Sequence, residues 1–173
     1  RSRGQLLGDP ATRRRLLVAL YENFEDAFKA NHLVSLIRQH RPEVVVDCVN
    51  TATGLSYQDV FDGAAKVREW IGKDGFDAEG VPDLEAFLLS QSTPQIIRHV
   101  RFVHRATTDY RTRVYLKVGT TGTGGMGLNI PYTHSEDKPS KKLLAKNEAA
   151  FGHTGLLFLL ARTPEAPLVK EIK

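Results

Sequence analysis

The side chains whose types and spacing can do chemistry fall where apolar, β-branched runs end. Val114–Val118 leads into Gly119, Thr120 and Thr121, and Val44–Val49 leads into Asn50, Thr51, Ala52 and Thr53. Hydroxyls at such a place can orient a substrate oxygen, and an asparagine offers both a donor and an acceptor. Small residues such as Ala52 let a ligand approach the backbone. Tyr132 and His134, in the segment Pro131–His134, are candidate proton donors. Lys142 and Lys146 fall one turn apart on one helical face, where paired cations suit a phosphate or an acidic group. Each choice has a plain structural counterpart: strand-end turns for the threonines and Asn50, a packed or surface ring for Tyr132, and a solvated basic patch for the lysines.

Gly122, Gly124 and Gly127 spell G-x-G-x-x-G, which invites a phosphate-cradle reading. That chemistry requires the loop to open a helix directly, so that helix N-terminal amides meet the pyrophosphate. Leu128, Asn129, Ile130 and Pro131 follow instead, and no helical pattern begins until about Pro139. The fingerprint taken alone is weak. Asp47, inside an apolar run, needs a buried partner that the sequence does not name. Cys48, the single cysteine, reads as a small core residue, and no spacing of His, Cys and carboxylates suggests a metal site.

At 173 residues the chain can bury one core, and its composition is that of an ordinary soluble globular domain. A net charge of +4 is mild for a nucleic-acid-binding protein. Arg98, Arg101 and Arg105 near one helix face, and the Arg13–Arg15 cluster, come without a reading motif or stacking aromatics, so solvated helix faces are favoured. One cysteine means no disulfide framework, which fits a reducing, cytoplasmic setting. No signal peptide and no membrane-spanning apolar run is visible. The chain starts on Arg1 and stops just after a strand-like run, which leads us to expect a piece of a larger protein.

These residues need elements to position them. Residues 1–11 read as an irregular lead-in loop, with Thr12 as an N-cap. Leu16, Leu17, Leu20, Phe24 and Phe28 then give one helical face, and Leu33, Leu36 and Ile37 a second that closes at Arg41-Pro42. Glu43–Val49 is a strand of the kind that parallel sheets cover on both faces. Residues 12–54 thus form helices, a strand and a loop. In 55–113, Val60, Ala64, Val67 and Ile71 favour a helix, but Gly63, Gly72, Gly75 and Gly80 favour short pieces. Asp83 is a cap for a helix holding Leu84, Phe87 and Leu88. Ile96, Ile97, Val100 and Val103 mark a clearer helix after Thr93-Pro94, and Thr107–Arg113 reads as a polar connector. In 114–173 a strand and the glycine-rich loop precede a long helix from Lys141 to about Arg162, with Gly155–Leu160 as a buried strand in the alternative. Pro167–Ile172 is a last strand. This alternation predicts a single α/β domain with a parallel sheet and crossover helices, whose strand-end clusters share the carboxyl edge where open α/β folds bind ligands.

From Leu33 onward the chain resembles the extended, atypical branch of the short-chain dehydrogenase/reductase superfamily, which includes the nucleotide-sugar epimerases and dehydratases. Leu36-Ile37 followed by Arg41-Pro42-Glu43-Val44-Val45-Val46 is similar to that family's helix and fourth strand. Asn50-Thr51-Ala52 falls where the family has its cofactor-loop motif, Val114–Val118 looks like its fifth strand, and Thr120-Thr121 stand at its catalytic Ser/Thr. Glu136 and Pro139 match residues that precede its catalytic helix, Lys146 matches the lysine of that helix, and Val169–Ile172 resembles the sixth strand. The family's Tyr-x-x-x-Lys places a tyrosine where this chain has Lys142, and its glycine-rich first βαβ unit has no counterpart before residue 33. The resemblance implies an incomplete doubly wound, Rossmann-like domain. It also implies NAD or NADP, held only together with an upstream βαβ unit, with Asn50, Thr51, Ala52, Thr53 and Lys146 on the cofactor. Thr120, Thr121, Tyr132 and Lys146 would act on the alcohol or carbonyl of a small-molecule substrate.

The expected function is therefore an NAD(P)-dependent oxidoreductase or epimerase-like activity. A non-catalytic Rossmann-like module for ligand binding or assembly is the alternative, motivated by the absent tyrosine. The remainder of a parent chain is the expected partner, a homo-oligomer is left open, and neither a membrane nor nucleic acid is expected.

Overall fold

A computed structural model describes residues 3–49, 59–72, 78–119 and 141–172. Its three strands, β1 (Val44–Asp47), β2 (Val114–Val118) and β3 (Leu168–Ile172), form a parallel sheet in the order β1-β2-β3. The register pairs Val45 with Tyr115 and Asp47 with Lys117, then Tyr115 with Val169 and Lys117 with Glu171. The expected α/β class and parallel sheet are therefore present. Parallel neighbours need long crossovers. Between β1 and β2 these are α5 (Val60–Ile71), α6 (Val81–Ser90) and α7 (Ser92–Asp109), and between β2 and β3 the helix is α8 (Lys141–Leu160). Ahead of β1 lie α1 (Arg3–Gly8), α2 (Pro10–Tyr21), α3 (Phe24–Ala30) and α4 (His32–His40).

One face of the sheet is covered. Ile96, Val100 and Val103 of α7 meet Ala149, Leu157 and Leu160 of α8 over Tyr115, with Val45 and Val169 at the margin. Val34 and Ile37 of α4 join Phe28, Phe102 and Ala106 in an adjoining cluster that also reaches Val45. Each buried Val, Leu, Ile or Phe among them contributes roughly 1.5–3 kcal/mol. The opposite face differs from the two-sided burial expected of these strands: Val44, Val46, Leu168 and Ile172 are 50%, 56%, 66% and 47% exposed. The reason is topological. Crossovers of one hand that step in one direction along a sheet lay their helices on one side, and the second layer needs a reversal of direction.

Local chemistry corrects several sequence readings. The lead-in is helical: α1 occupies Arg3–Gly8, and Pro10 opens α2 with Asp9, not Thr12, as N-cap. Asp9 accepts the Thr12 amide at 3.2 Å and the Thr12 hydroxyl at 2.5 Å, so Thr12 supports the cap from inside the first turn. The apolar face running to Phe28 is broken at Asn23, whose side chain accepts the Glu25 amide and starts α3. Instead of short pieces, residues 60–71 form one helix capped by Asp59. Gly63 serves packing there, since a Cβ would stand 3.2 Å from Phe87 Cδ2 of α6. Asp83 lies inside α6 and accepts the Trp70 indole N–H at 3.0 Å. Thr107 to Asp109 belong to α7, not to a connector. The single long helix over 141–160 is present as expected, unbroken by Gly152 and Gly155.

Of the arginines expected to face solvent, Arg14, Arg15, Arg101 and Arg105 are exposed as expected, while Arg13 and Arg98 take structural roles instead. Arg13 is buried and paired with Glu85 at 2.7 Å. Arg98 donates to the Leu20 carbonyl at 2.9 and 2.6 Å and to the Glu22 carbonyl at 2.9 Å, holding the end of α2 where the chain turns into α3. Arg101 lies 4.3 Å over the Phe24 ring, and Arg105 bonds Asp109 at 2.7 Å. Arg98→Met should lower unfolding free energy by about 2 kcal/mol, because two carbonyls lose charge-assisted bonds. Arg101→Met should cost about 0.5–1 kcal/mol, the scale of an exposed cation–π contact. Urea denaturation measures both, and equal losses would contradict this division of labour.

Candidate functional site

In a parallel sheet all strands deliver their following loops to one edge. Val49 and Gly119 are the last described residues after β1 and β2, and those strands are adjacent. The candidates Asn50, Thr51, Ala52 and Thr53 follow the first, and Thr120 and Thr121 follow the second. All six lie outside the described residues, as do Tyr132, His134, Glu136, Pro139 and the Gly122–Gly127 motif. Lys142 and Lys146 lie in the first turns of α8, the helix that leads back from this edge, and their side chains are likewise outside the described set. Lys146 sits two turns before His153, roughly 10 Å along the axis at 1.5 Å per residue. The described ends of β1 and β2 thus lie side by side at one edge of the sheet.

Beneath that edge is a buried polar cluster, and it supplies the partner Asp47 needs. The period-two alternation of strands puts Asp47, Tyr115 and Lys117 on the helix-covered face. Their exposures are 7%, 0% and 6%. Tyr115 donates its hydroxyl to Asp47 Oδ2 at 2.5 Å, and Lys117 Nζ stands 3.2 Å from the same oxygen. Asp47 Oδ1 accepts the Val49 amide at 2.8 Å, and Lys117 Nζ donates to the Val49 carbonyl. His99 of α7 brings Nε2 to 3.9 Å from Asp47 Oδ2, too far for a hydrogen bond, and its ring meets His153 of α8 edge-on at 5.3 Å between centroids. On the other side of Lys117, Glu171 accepts the Thr154 hydroxyl at 2.9 Å.

The electrostatics are those of a neutral-histidine, charged-carboxylate cluster. Burial pushes the Asp47 carboxyl up, but bonds from Tyr115 and the Val49 amide and the Lys117 charge outweigh it, and the net shift is downward. Burial, with Asp47 beside it, pushes the Tyr115 phenol well above its ordinary range, so this tyrosine stays protonated as a donor. Burial lowers His99, which Asp47 partly offsets and Lys117 reinforces. Burial, then His99 and Lys117, bring His153 down to about 4. With Asp47 beside two histidines a metal reading is natural, but no three His, Cys or carboxylate groups converge among the described residues.

Sequence reasoning flagged Asp47 but missed Tyr115, Lys117, His99 and His153. A signal was present: Tyr115 and Lys117 alternate with apolar residues in β2, which is how a covered strand carries polar groups on one face. Cys48 is a correction. It is exposed, because it directly follows Asp47, which takes the covered side. A separate groove of about 460 Å³ is lined by Phe24, Arg101, His104, Arg105, Leu156 and Leu159. It joins the C-terminal halves of α7 and α8, which lead into β2 and β3, and so lies at the edge opposite the candidate loops.

No described helix is long and apolar enough to cross a membrane. Comparison with family models, curated proteins and solved structures found no match for this chain.

The cluster predicts acid sensitivity. His153 is neutral in the fold with a pKa depressed to about 4, so its contribution is fully present above the unfolded value near 6.5 and is lost as pH falls from there toward 4. About 3 kcal/mol should disappear across that window, and a His153→Leu chain should lose visibly less in urea titrations at pH 7 and 4.5. The lowered Asp47 pKa makes its contribution fully present above the unfolded carboxyl value near 3.8 and lost as pH falls from there through its folded pKa, below the His153 window. Asp47→Ala strands the Lys117 charge in the interior and should cost about 3–5 kcal/mol at pH 7.

Proposed function

We propose that this chain belongs to an NAD(P)-dependent oxidoreductase or epimerase/dehydratase-like protein of the short-chain dehydrogenase type, acting on an alcohol or carbonyl substrate. One observation carries the reading: β1 and β2 are parallel neighbours whose following segments hold Asn50–Thr53 and Thr120-Thr121, and α8 leads back from the same edge with Lys146. Parallel α/β sheets bind ligands at that edge. The bare face bearing Val44, Val46, Leu168 and Ile172 supports a further layer contributed by more of a parent chain, as a doubly wound sheet requires.

The donor set suits a nicotinamide dinucleotide. Asn50 and the small residues after it offer amide and backbone partners at a strand end, and Lys146 offers a cation for a ribose hydroxyl or phosphate. When bound, the dinucleotide would supply the hydride acceptor or donor. The chain's own groups handle the proton and the geometry. Thr120 and Thr121 orient the substrate oxygen, Tyr132 gives or takes its proton, and Lys146 favours the tyrosinate by its charge. Lys142, standing where the family resemblance puts a tyrosine, favours a second reading: a non-catalytic ligand-binding or assembly module on the same scaffold.

Titration of the full natural chain with NADH and NADPH, followed by fluorescence, separates the two readings. Binding is expected. Lys146→Ala should raise the cofactor Kd, and Tyr132→Phe should lower turnover roughly 10²-fold or more while leaving that Kd unchanged. Absence of nicotinamide binding, or turnover indifferent to both substitutions, removes the catalytic assignment. Residues 1–173 alone should bind dinucleotide weakly, and a tight complex would show that no additional βαβ unit is needed.

A further inference from the structure

The face of α8 turned away from the core carries large apolar side chains that no described residue covers. Leu144, Phe151, Phe158 and Leu159 are each more than half exposed, while Ala149, His153, Leu157 and Leu160 take the buried side. Leu144, Glu148, Phe151, Gly155, Phe158 and Arg162 recur at alternating steps of four and three, the spacing of a coiled-coil seam. Arg162 stands in the turn that closes α8, where its amide donates to the Leu159 carbonyl at 3.1 Å. Its guanidinium lies 4.2 Å over the Phe158 ring, which keeps the charge on the seam. Beside the seam a groove of about 380 Å³ separates α8 from α7, lined by Gly152, Gly155 and the exposed Ile97.

The two glycines have no use inside the chain. Glycine within a helix is destabilising relative to alanine, so it calls for a reason. A Cβ at Gly155 would meet no described atom within 4 Å, and one at Gly152 would stand in ordinary contact, 3.8 Å from Ile96 Cδ1. Gly63, by contrast, is tight against Phe87. What Gly152 and Gly155 provide is a low stretch of helix surface where another helix can come close.

The seam is also its own reverse. Counted from Gly155, steps of three and four reach Gly152 and Phe151 in one direction and Phe158 and Leu159 in the other, and steps of seven reach Glu148 and Arg162. An antiparallel copy centred there sets Phe158 into the gap at Gly152, Phe151 against Leu159, and Glu148 beside Arg162. A parallel copy would set Glu148 against Glu148. Neither Glu148 nor Arg162 makes an ion pair among the described residues. A surface made for a lipid or for an unrelated protein has no need of this symmetry, whereas a two-fold contact requires it.

We propose that a second copy of this chain covers the seam, α8 against α8 and antiparallel, about a two-fold axis at Gly155. The seam is about 27 Å long and a helix about 10 Å wide, a smaller footprint than the ~800 Å² per partner of a standard interface. The dimer is therefore a reversible one. It requires no ligand and stands apart from the nucleotide reading above.

Sedimentation of the full natural chain from about 1 μM to about 0.3 mM should show a monomer–dimer equilibrium. Gly155→Gln places a good helix former in open space. It should raise the dimer Kd about tenfold or more, and hold or raise the melting temperature of the dilute monomer. Glu148→Arg and Arg162→Glu, made singly, put like charges together at two symmetric places and should each weaken the dimer about tenfold. Made together they should restore the Kd to within about threefold of the natural chain. A chain that stays monomeric overturns the dimer and leaves a different protein, or more of the parent chain, as the cover of α8. A dimer indifferent to Gly155→Gln overturns it too, as does a lowered monomer melting temperature, which would show that the glycine serves the chain's own fold. A double exchange no better than the single ones overturns the antiparallel pairing and the proposal with it.

Discussion

The contact on which most of this structure turns is the buried meeting of Asp47, Tyr115 and Lys117. It joins the two neighbouring strands at their carboxyl ends, and two helices close over it with His99 and His153. An isolated carboxylate or ammonium in that interior would cost several kcal/mol. Each therefore requires the others, and the requirement fixes the pairing of β1 with β2. A slip of β1 by one residue would carry Asp47 to the uncovered face and bring Val46 inward, leaving Tyr115 and Lys117 of β2 without their carboxylate. Hydrophobic pattern and charge pairing thus specify the same register.

Around that centre α7 does the joining. Its inner face supplies Ile96, Val100 and Val103 to the sheet-side core and Phe102 and Ala106 to the cluster with α3 and α4. Its arginines, which in the sequence suggest a solvated stripe, tie it to the break between α2 and α3. An arginine needs only its guanidinium edge near a carbonyl and its plane near a ring to be structural while partly wet. Such a role depends on which helix lies alongside.

The three parallel strands among the described residues also set what the fold leaves open. Crossovers proceeding in one direction cover one face, so valine and leucine side chains stand bare on the other. The strand composition had suggested burial on both sides, and the composition is consistent with a further layer. At the carboxyl edge, the buried cluster carries its order outward as far as Val49.

The sequence by itself determined the described strands and the parallel α/β class, because β-branched runs and helical periodicity are local and strong, and it favoured the long helix over 141–160 while leaving Gly155–Leu160 as a strand in the alternative. It also exposed Asp47 as a charge in need of company. Helix starts were less legible. Thr12 and Asp9 are both good caps by type, and only the hydrogen-bond geometry separates them. The identities of Asp47's partners, the structural use of Arg13 and Arg98, and the one-sided cover of the sheet were decided by tertiary structure alone. Lys117 lies seventy residues beyond Asp47, and α2 meets Arg98 across nearly eighty. No periodicity within a window of ten or twenty residues encodes such contacts. They follow from register and crossover direction, which exist only once the strands are side by side.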